Sequence, residues 1–404
     1  MTYEETINYI HAIPKFVRPL GNADLSRLLD KIGNPHKNGG FIHIAGTNGK
    51  GSTAAMISSI LTAQGYKTGL YTSPFIEVFN ERIRINGDNI PDADLCDITE
   101  RVKNILEENS LKVSEFAFIT AMAFLYFYEQ KCDFVVLETG MGGRLDATNI
   151  IEKPLVSVIT SIGLDHMQYL GDTIEEIAAE KCGIIKRNCP VVSQSNNDVR
   201  DIIENAAKEM NSELVFTDNA QSADGGFLYK EKFYPLALAG DYQKYNGAAA
   251  IETVNVLRKQ NIAVSDAAVY EGLKNVKWAA RFEFVRDNVV IDGGHNIDGI
   301  RALKKALAAD GRKYGVVIAM MSDKAADECV REISKNAEFV IATEIDMPRC
   351  EKAEILASYA ENMTAEPDFK RAIDLAMEKI PQDGILCICG SLYFAAEARK
   401  YLRK

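Results

Sequence analysis

The stretch FIHIAGTNGKGSTAAMISSILTAQG (residues 41–65) places a glycine-rich turn directly between an apolar strand and a helix. Glycines at positions 46, 49 and 51 allow backbone N–H groups to converge on an anion, and the N-terminus of the helix adds a partial positive charge. Lys50 supplies a point charge for the β- and γ-phosphates of a nucleotide. The turn and its surroundings therefore predict a binding site for a nucleoside triphosphate.

The spacing of this turn differs from that of the usual phosphate loop. Only two residues separate Gly46 from Gly49, and a glycine lies between Lys50 and Ser52. The alternative is an ordinary glycine-rich turn with a solvated lysine. The strand before the turn, the helix after it and the hydroxyl pair Ser52 and Thr53 favour the phosphate loop over this alternative.

Short apolar strands alternate with amphipathic helices on both sides of the turn, which predicts parallel sheets covered by helices. Helices are expected at about 52–64, 115–130 and 173–182, and a capping box from Thr173 to Glu176 opens the last of them. The expected strands are FIHIAG (41–46), KTGLYTS (67–73), DFVVLETG (133–140), PLVSVITSIG (154–163) and PVVSQ (190–194).

The pattern changes at residues 213–240, where shorter strands separated by Gly, Asp and Asn predict a small antiparallel sheet. Helices follow at about 243–259 and 265–274. The alternation then restarts after Trp278 with NVVIDGGHN (288–296), YGVVIAMMSDK (314–324), AEFVIATEI (337–345) and GILCICGS (384–391). We therefore predict an α/β protein with a nucleotide-binding domain at 1–280 and a smaller Rossmann-like domain at 281–404.

The composition restricts the class of protein. The 404 residues are 47% apolar and 25% charged, and 46 Lys and Arg against 57 Asp and Glu give a net charge of −11. This charge opposes non-specific attraction to nucleic acid or anionic lipid. The longest apolar runs are shorter than the roughly 20 residues of a membrane helix, the N-terminus lacks a signal-peptide pattern, and the eight cysteines form no CxxC pair. We expect a cytoplasmic enzyme or binding protein with reduced thiols and no nucleic-acid or membrane partner.

Two residues at the ends of predicted strands are candidate metal ligands. Glu138 ends the strand DFVVLE, and His166 follows the strand VSVITSIG. The carboxyl ends of neighbouring parallel strands lie at one edge of a sheet, where a nucleotide would need a divalent cation. A solvated glutamate and a structural histidine are the alternatives, and the proximity of the phosphate loop favours the metal site.

Five motifs that follow one another along the chain carry a family resemblance. They are GTNGKGST (46–53), YTSPFIEVFNERIRING (71–87), LETGMGGRLDATN (137–149), ITSIGLDHMQYLGDTIEEIAAEKCGIIK (159–186) and VIDGGHN (290–296). Together they resemble the folylpolyglutamate synthase and dihydrofolate synthase family of the Mur ligase superfamily. The resemblance implies a Mur-ligase-type ATPase domain, and an ATP-dependent ligase that joins L-glutamate to a reduced folate or to dihydropteroate through an acyl phosphate. It also implies Mg²⁺ and a monomeric chain. K⁺ is a further candidate cofactor, for which the sequence itself contains no signal.

The resemblance assigns roles in the first domain. The residues implied to bind ATP are Gly46, Thr47, Asn48, Gly49, Lys50, Gly51, Ser52 and Asn246. The residues similar to the magnesium ligands are Ser73, Glu138 and His166. Lys181 matches the lysine that the family carries as a carbamate, a form in which it becomes an oxygen ligand for a second Mg²⁺. The alternative for Lys181 is a solvated helix lysine.

In the second domain the resemblance implies that Asp292 and Arg281 contact the nucleotide and that His295 belongs to the catalytic site with Lys50 and Lys181. Helix caps and salt bridges are the alternatives. The linker departs from the family pattern, because residues 278–283 read WAARFE where the family has WPGRFE. The loss of Pro and Gly changes the backbone conformations that are open to this linker.

The resemblance to the pterin-contacting segments is weaker. The residues implied to bind the substrate are Leu145, Asp146, Ala147, Glu115, Phe116 and Phe75. Core packing is an equal alternative for each of them.

Two other functions remain open at this point. A cell-wall amino-acid ligase acting on a muramyl peptide shares the ATPase core, but only about 40 residues precede the phosphate loop, which is short for its additional N-terminal domain. A regulatory module that binds ATP without ligation would have no need of Asp292 or His295.

Overall fold

The computed structural model describes residues 1–17, 21–195, 198–322 and 324–403. The chain forms two compact units, the first made of Met1–Ala237 and Lys244–Val276 and the second of Leu238–Gln243 and Lys277–Lys404. In the described parts of the chain, each helix is too short or too polar to cross a lipid bilayer.

The first unit is built on a sheet of eight strands with the order β4-β3-β2-β5-β1-β6-β7-β8. The strands are β1 (Gly40–Ala45), β2 (Thr68–Tyr71), β3 (Ile83–Ile85), β4 (Asp88–Asn89), β5 (Phe134–Glu138), β6 (Val156–Ile159), β7 (Val191–Ser193) and β8 (Leu214–Phe216). Strand β3 pairs antiparallel with β2 and with β4, and all other pairs are parallel. A separate antiparallel sheet contains β9 (Gln221–Ala223), β10 (Gly226–Tyr229) and β11 (Lys232–Pro235).

The helices of the first unit are α1 (Tyr3–Ala12), α2 (Ala23–Lys31), α3 (Lys50–Ala63), α4 (Asp92–Glu108), α5 (Glu115–Glu129), α6 (Met167–Leu170), α7 (Ile174–Cys182), α8 (Arg200–Glu209), α9 (Gln243–Lys259) and α10 (Asp266–Asn275). Helix α5 is apolar on all sides and is buried from Ala117 to Phe127, as expected for a helix in the interior of a domain. The predicted capping box of α7 is confirmed, because the Thr173 hydroxyl accepts from the Glu176 N–H and the Glu176 carboxylate accepts from the Thr173 N–H.

The second unit contains a six-stranded sheet with the order β12-β13-β17-β14-β15-β16. Its strands are β12 (Glu283–Arg286), β13 (Val289–Ile291), β14 (Tyr314–Ile318), β15 (Val340–Glu344), β16 (Met363–Asp368) and β17 (Ile385–Cys389). Its helices are α11 (Ile297–Asp310), α12 (Ala326–Ser334), α13 (Ala353–Ala357), α14 (Phe369–Lys379) and α15 (Leu392–Leu402). Only β12 runs antiparallel to its neighbour.

The predicted fold class is confirmed, with one correction. The segment 213–240 was expected to form an antiparallel sheet, yet β8 pairs parallel with β7 and extends the large sheet. It follows α8 and so completes a strand–helix–strand crossover, which places it parallel to the preceding strand. The antiparallel sheet begins only at Gln221. All eight cysteines are free thiols, in agreement with the expected reduced state.

The WAARFE segment contains two residues in the left-handed region, Ala280 with φ 54° and Phe282 with φ 49°. Ala280 stands where the family has glycine, the residue that adopts this φ without strain. Hydrogen bonds hold it there, since its N–H donates to Glu283 Oε2 (2.8 Å) and its carbonyl accepts from the Gly293 N–H (2.9 Å). Ala280 therefore holds a left-handed backbone conformation in this linker although it is not a glycine.

We expect Ala280→Val to lower the free energy of unfolding of this unit by at least about 2 kcal/mol, because a β-branched side chain is strained at positive φ and the site is fully buried. Ala279→Val is the matched control, since Ala279 is half-buried and lies outside the left-handed region. Urea unfolding measures both. Equal losses in the two variants would show that the backbone conformation of Ala280 is not the cause.

Candidate functional site

The predicted phosphate loop lies between β1 and α3 and is fixed against the loop that follows β6. The Thr47 N–H donates to the Ser161 carbonyl (2.7 Å), and the Thr47 hydroxyl donates to the Gly163 carbonyl (2.9 Å). At Gly46 a Cβ atom would lie 1.8 Å from Thr160 Oγ1, so this position has no room for a side chain. Gly49 caps α3 with φ 86°, which leaves the first N–H groups of the helix facing the loop. The local geometry is that of an anion-binding turn.

Two lysines donate to the same carbonyl group of this loop. Lys50 Nζ donates to the Gly46 carbonyl (3.1 Å) and to the Thr47 carbonyl (3.2 Å), while Lys181 Nζ from α7 donates to the Gly46 carbonyl (2.8 Å). Lys181 is only 3% exposed. Burial, reinforced by the charge of Lys50, lowers the pKa of Lys181 from 10.5 to about 7. A neutral amine is therefore accessible near neutral pH, and the solvated-lysine alternative for Lys181 is wrong.

Asn246 of α9 lies beside the phosphate loop, because a Cβ atom on Gly49 would come within 2.3 Å of Asn246 Oδ1. Gln194, buried directly after β7, donates through Nε2 to that same Oδ1 atom (3.0 Å). This bond links the Asn246 side chain to the carboxyl end of β7. Sequence reasoning missed Gln194, although its place at the carboxyl end of a parallel strand is the signal that identified Glu138.

The predicted metal ligands Glu138 and Ser73 lie together. Glu138 is the last residue of β5 and is 5% exposed, and its Oε2 atom accepts from the Ser73 N–H (3.1 Å). In the register of β1 and β5, Ile44 lies opposite Glu138, which places the carboxylate at the edge of the sheet from which the phosphate loop begins. The Glu138 carboxylate and the hydroxyl group of Ser73 are both hard oxygen ligands of the kind that Mg²⁺ prefers.

His166 is exposed and has φ 53°, immediately before α6. It belongs to the loop that follows β6. This loop is bonded to the phosphate loop, because the Thr47 hydroxyl donates to the Gly163 carbonyl. Across the described ranges, no three His, Cys, Asp or Glu side chains form a group that could hold a metal by themselves. The assignment of His166 as a ligand stays a prediction.

The segments predicted to contact a pteridine form two neighbouring groups. In the first, the Phe116 ring lies against Gly140, where a Cβ atom would be 2.6 Å from Phe116 Cζ. In the second, the Arg82 guanidinium lies 5.5 Å from the ring centroids of both Phe75 and Phe79, and Arg82 Nε is a buried donor without a partner among the described residues. Sequence reasoning missed Arg82 as a cation beside these rings.

The remaining predicted substrate residues differ in exposure. Leu145 is 53% exposed and Ala147 is buried, while Glu115 accepts a hydrogen bond from His11 or pairs with it as an ion (2.7 Å). The Asp146 carboxylate is buried and is fully occupied by partners within the chain. In the structure this carboxylate organises its own loop, and the predicted contact of Asp146 with the substrate stays a prediction.

In the second unit Asp292 lies directly after β13 and is 4% exposed. Its carboxylate accepts from the Tyr242 hydroxyl (2.9 Å) and from the N–H groups of Phe282 (2.8 Å) and Gly294 (2.7 Å). Burial, followed by the charge of Asp292, raises the pKa of Tyr242 well above 10, so Tyr242 is a permanent donor to Asp292. Tyr242 is a third residue that sequence reasoning missed, after Gln194 and Arg82.

The other predicted residues of this unit lie close by in the chain. His295 Nδ1 is 2.9 Å from the Gly293 carbonyl, and Asn296 caps α11 by accepting from the Gly299 N–H (2.8 Å). Arg281 Nη1 donates to the Ala280 carbonyl (3.1 Å). The helix-cap alternative thus holds for Asn296, and the side chains of His295 and Arg281 each contact a neighbouring backbone carbonyl group.

Comparisons with known proteins match this architecture over the whole chain. The model of the Mur ligase middle domain matches residues 44–254, and that of the Mur ligase, glutamate ligase domain matches residues 280–392. A dihydrofolate synthase/folylpolyglutamate synthase of Bacillus subtilis is 37% identical over 427 residues, with 99% of each chain covered. An FPGS–AMPPCP–folate complex has a TM-score of 0.86 and 34% identity, with both chains fully covered. E. coli FolC in complex with DHPP and ADP has a TM-score of 0.91 and 27% identity, covering 100% of this chain and 98% of the other.

Proposed function

Because the chain belongs to the folylpolyglutamate synthase/dihydrofolate synthase family of Mur ligases, we propose that it joins L-glutamate to the carboxyl group of a folate with conversion of ATP to ADP and phosphate. The observation that carries the proposal is the phosphate loop, with Lys50 at the start of α3 and Glu138 at the adjoining strand end. The full-length likeness to enzymes that act on folates favours this substrate over a muramyl peptide.

The chemistry requires activation of a poor acyl group. A carboxylate oxygen of the folate attacks the γ-phosphorus, the bond from that phosphorus to the ADP oxygen breaks, and an acyl phosphate forms. The amino group of glutamate then attacks the acyl carbon, loses a proton, and expels phosphate as the amide forms. Charge accumulates on the transferring phosphoryl group, so the enzyme acts mainly by positioning and neutralisation.

The residues of the phosphate loop suit this task. Lys50 and the N–H groups at the start of α3 would bind the β- and γ-phosphates. Asn246 packs against Gly49 of this loop, and Gln194 donates a hydrogen bond to Asn246. Of the second unit, Asp292, Arg281 and His295 are proposed as nucleotide and catalytic residues on the strength of the family motif. Asp292 is already oriented by Tyr242 for such a role.

We propose that Ser73, Glu138 and His166 hold Mg²⁺, and that Lys181 holds a second one as a carbamate. The buried Glu138 carboxylate next to Ser73 fits the preference of this ion for oxygen. When bound, Mg²⁺ supplies positive charge to the phosphate oxygens. K⁺ as an additional cofactor, a monomeric chain and a cytoplasmic location are further proposals that rest on the family and on the composition.

Incubation in ¹³C-labelled bicarbonate is expected to give a carbamate resonance from Lys181 in the NMR spectrum. Only the neutral amine reacts with carbon dioxide, so the signal should increase as the pH rises through about 7. Lys181→Ala should remove the resonance. Lys186→Ala is the control, because Lys186 is also a partly buried lysine with a lowered pKa and should leave the resonance unchanged. A resonance that survives in Lys181→Ala would contradict the assignment.

The proposed function is tested by an assay in which each reaction component is left out in turn. Phosphate release is measured with ATP, Mg²⁺, a reduced folate and glutamate, and then with each component left out in turn, while mass spectrometry follows the folate product. A ligase requires all four and adds one glutamyl residue for each phosphate. A nucleotide-binding module would release no phosphate, and a simple ATPase would ignore the folate. The same assay with dihydropteroate beside tetrahydrofolate identifies the preferred acceptor.

A further inference from the structure

A chain of three side chains, His43, Thr148 and Asp146, lies under the loop that follows β5. His43 is in the middle of β1 and Thr148 is in the LDATN motif, and both are fully buried. His43 Nε2 is 2.8 Å from Thr148 Oγ1, and Thr148 Oγ1 donates to Asp146 Oδ1 (2.5 Å). The two ends of this chain are 103 residues apart in sequence but belong to one hydrogen-bonded group.

The direction of these bonds fixes the state of the histidine. A threonine hydroxyl has a single proton, and because Thr148 gives it to Asp146, His43 must donate from Nε2. Burial lowers the pKa of His43 to about 3, so the ring is neutral and Nδ1 carries no proton. His43 Nδ1 is buried and has no hydrogen-bond partner among the described residues. A buried acceptor without a partner costs stability, so an apolar residue would serve better here if packing were the only requirement.

The Asp146 carboxylate is fully used at the other end of the chain. Oδ1 accepts from the N–H and the hydroxyl of Thr148, and Oδ2 accepts from the N–H groups of Gly140 (2.9 Å) and Met141 (3.0 Å). Two bonds to each oxygen fill the acceptor capacity of the group. The carboxylate therefore ties the start of the 140–147 loop, two residues after Glu138, to its end.

We propose that His43 and Thr148 are positioning residues that act through Asp146 to hold the 140–147 loop in the shape that binds the folate. The inference rests on the proposed function, because it takes the folate as the ligand of this loop. In this account Asp146 binds the substrate only indirectly, through the placement of Leu145, Ala147 and the backbone of the loop. Without the Thr148 hydroxyl, His43 loses its acceptor and Asp146 loses one of its four donors. The bonds to Gly140 and Met141 remain, but at the end of the loop only the Thr148 N–H still binds the carboxylate, so the loop is held less firmly there.

The test compares Thr148→Val with Thr148→Ser in the full chain. Valine keeps the shape of the side chain but removes the hydroxyl group. Serine keeps the hydroxyl group. We expect Thr148→Val to raise the KM for the folate about tenfold or more with the KM for ATP unchanged, and Thr148→Ser to stay close to wild type. Thr253→Val is the matched control, because Thr253 is equally buried and its hydroxyl donates only to the Ala249 carbonyl of its own helix among the bonds described.

The outcomes separate this inference from the proposed function. If the wild-type chain does not ligate glutamate, the proposed function fails. If it does, an unchanged folate KM in Thr148→Val, or a rise no larger than that of Thr253→Val, overturns the positioning role. Should Thr148→Val not fold, His43→Gln and His43→Leu replace it. The glutamine retains an N–H donor and should keep the wild-type KM, whereas the leucine should raise it, and equal values in the two would overturn the inference.

Discussion

Lys50→Ala is expected to lower the rate of glutamate-dependent phosphate release by about 10³-fold or more. Lys50 lies at the first turn of α3 and donates to carbonyl groups of the phosphate loop itself, so its ammonium group is already next to the place where the phosphates would bind. Removal of that charge leaves the transferring phosphoryl group with only backbone donors and bound cations. Steady-state phosphate release under saturating ATP measures the loss.

The control for this prediction is Lys67→Ala. Lys67 precedes β2 in the same unit, and its Nζ donates to Gln130 Oε1 (3.2 Å) at the end of α5. It should retain the wild-type rate within a factor of about two, because a solvated or surface-paired lysine contributes little. If Lys50→Ala keeps more than a tenth of the wild-type activity while Lys67→Ala behaves as wild type, the assignment of residues 46–53 as a phosphate loop is wrong.

Gly49→Ala is expected to lower ligase activity by about 10²-fold. Gly49 has φ 86°, and an added Cβ atom would lie 2.3 Å from Asn246 Oδ1. The new methyl group must displace either Asn246 or the loop backbone, and both are proposed to contact the nucleotide. The KM for ATP and kcat should therefore change together, and an assay over a range of ATP concentrations measures both.

Gly33→Ala separates this clash from simple backbone strain. Gly33 has φ 87°, almost the same as Gly49, and a Cβ atom there would meet nothing within 4 Å. It should lose about 1 kcal/mol of stability and retain full activity. If Gly33→Ala and Gly49→Ala lost activity equally, the loss would reflect strain alone and not the contact with Asn246.

The sequence was sufficient to predict those parts of the site whose residues are close together in the chain. The phosphate loop, the capping box of α7 and the strand that ends at Glu138 all follow from residues within a few positions of one another. The parallel direction of most strands was also predicted, because helices separate most of them along the chain. These features depend on periodicity and turn chemistry, which a single sequence contains.

The contacts that cross the chain could not be predicted in the same way. Gln194 meets Asn246 across 52 positions, and Thr148 meets His43 across 105. Nothing near His43 in sequence distinguishes it from a core residue of β1. The partners of the Asp146 carboxylate were missed for the same reason, because its four donors are visible only once the loop is folded. Strand β8 was misplaced because it is as short as the antiparallel strand β9 that follows it, with three residues in each.

The pKa of Lys181 also depends on the fold rather than on the local sequence. Its neighbours one turn back on α7, Ile177 and Ala178, are apolar and buried, but only the tertiary structure brings Lys50 and the Gly46 carbonyl next to its amine. A sequence motif can indicate a modified lysine by resemblance. The physical basis, a buried amine that releases its proton near neutral pH, comes from the three-dimensional environment.

The most direct measurement follows an oxygen atom. A folate that carries ¹⁸O in its reacting carboxylate is incubated with the enzyme, ATP, Mg²⁺ and glutamate in ordinary water, and the released phosphate is analysed by mass spectrometry. Activation of the carboxylate by phosphorylation predicts that each phosphate contains a single ¹⁸O atom from the folate. Phosphate that contains only the oxygen of ATP and water would contradict the account.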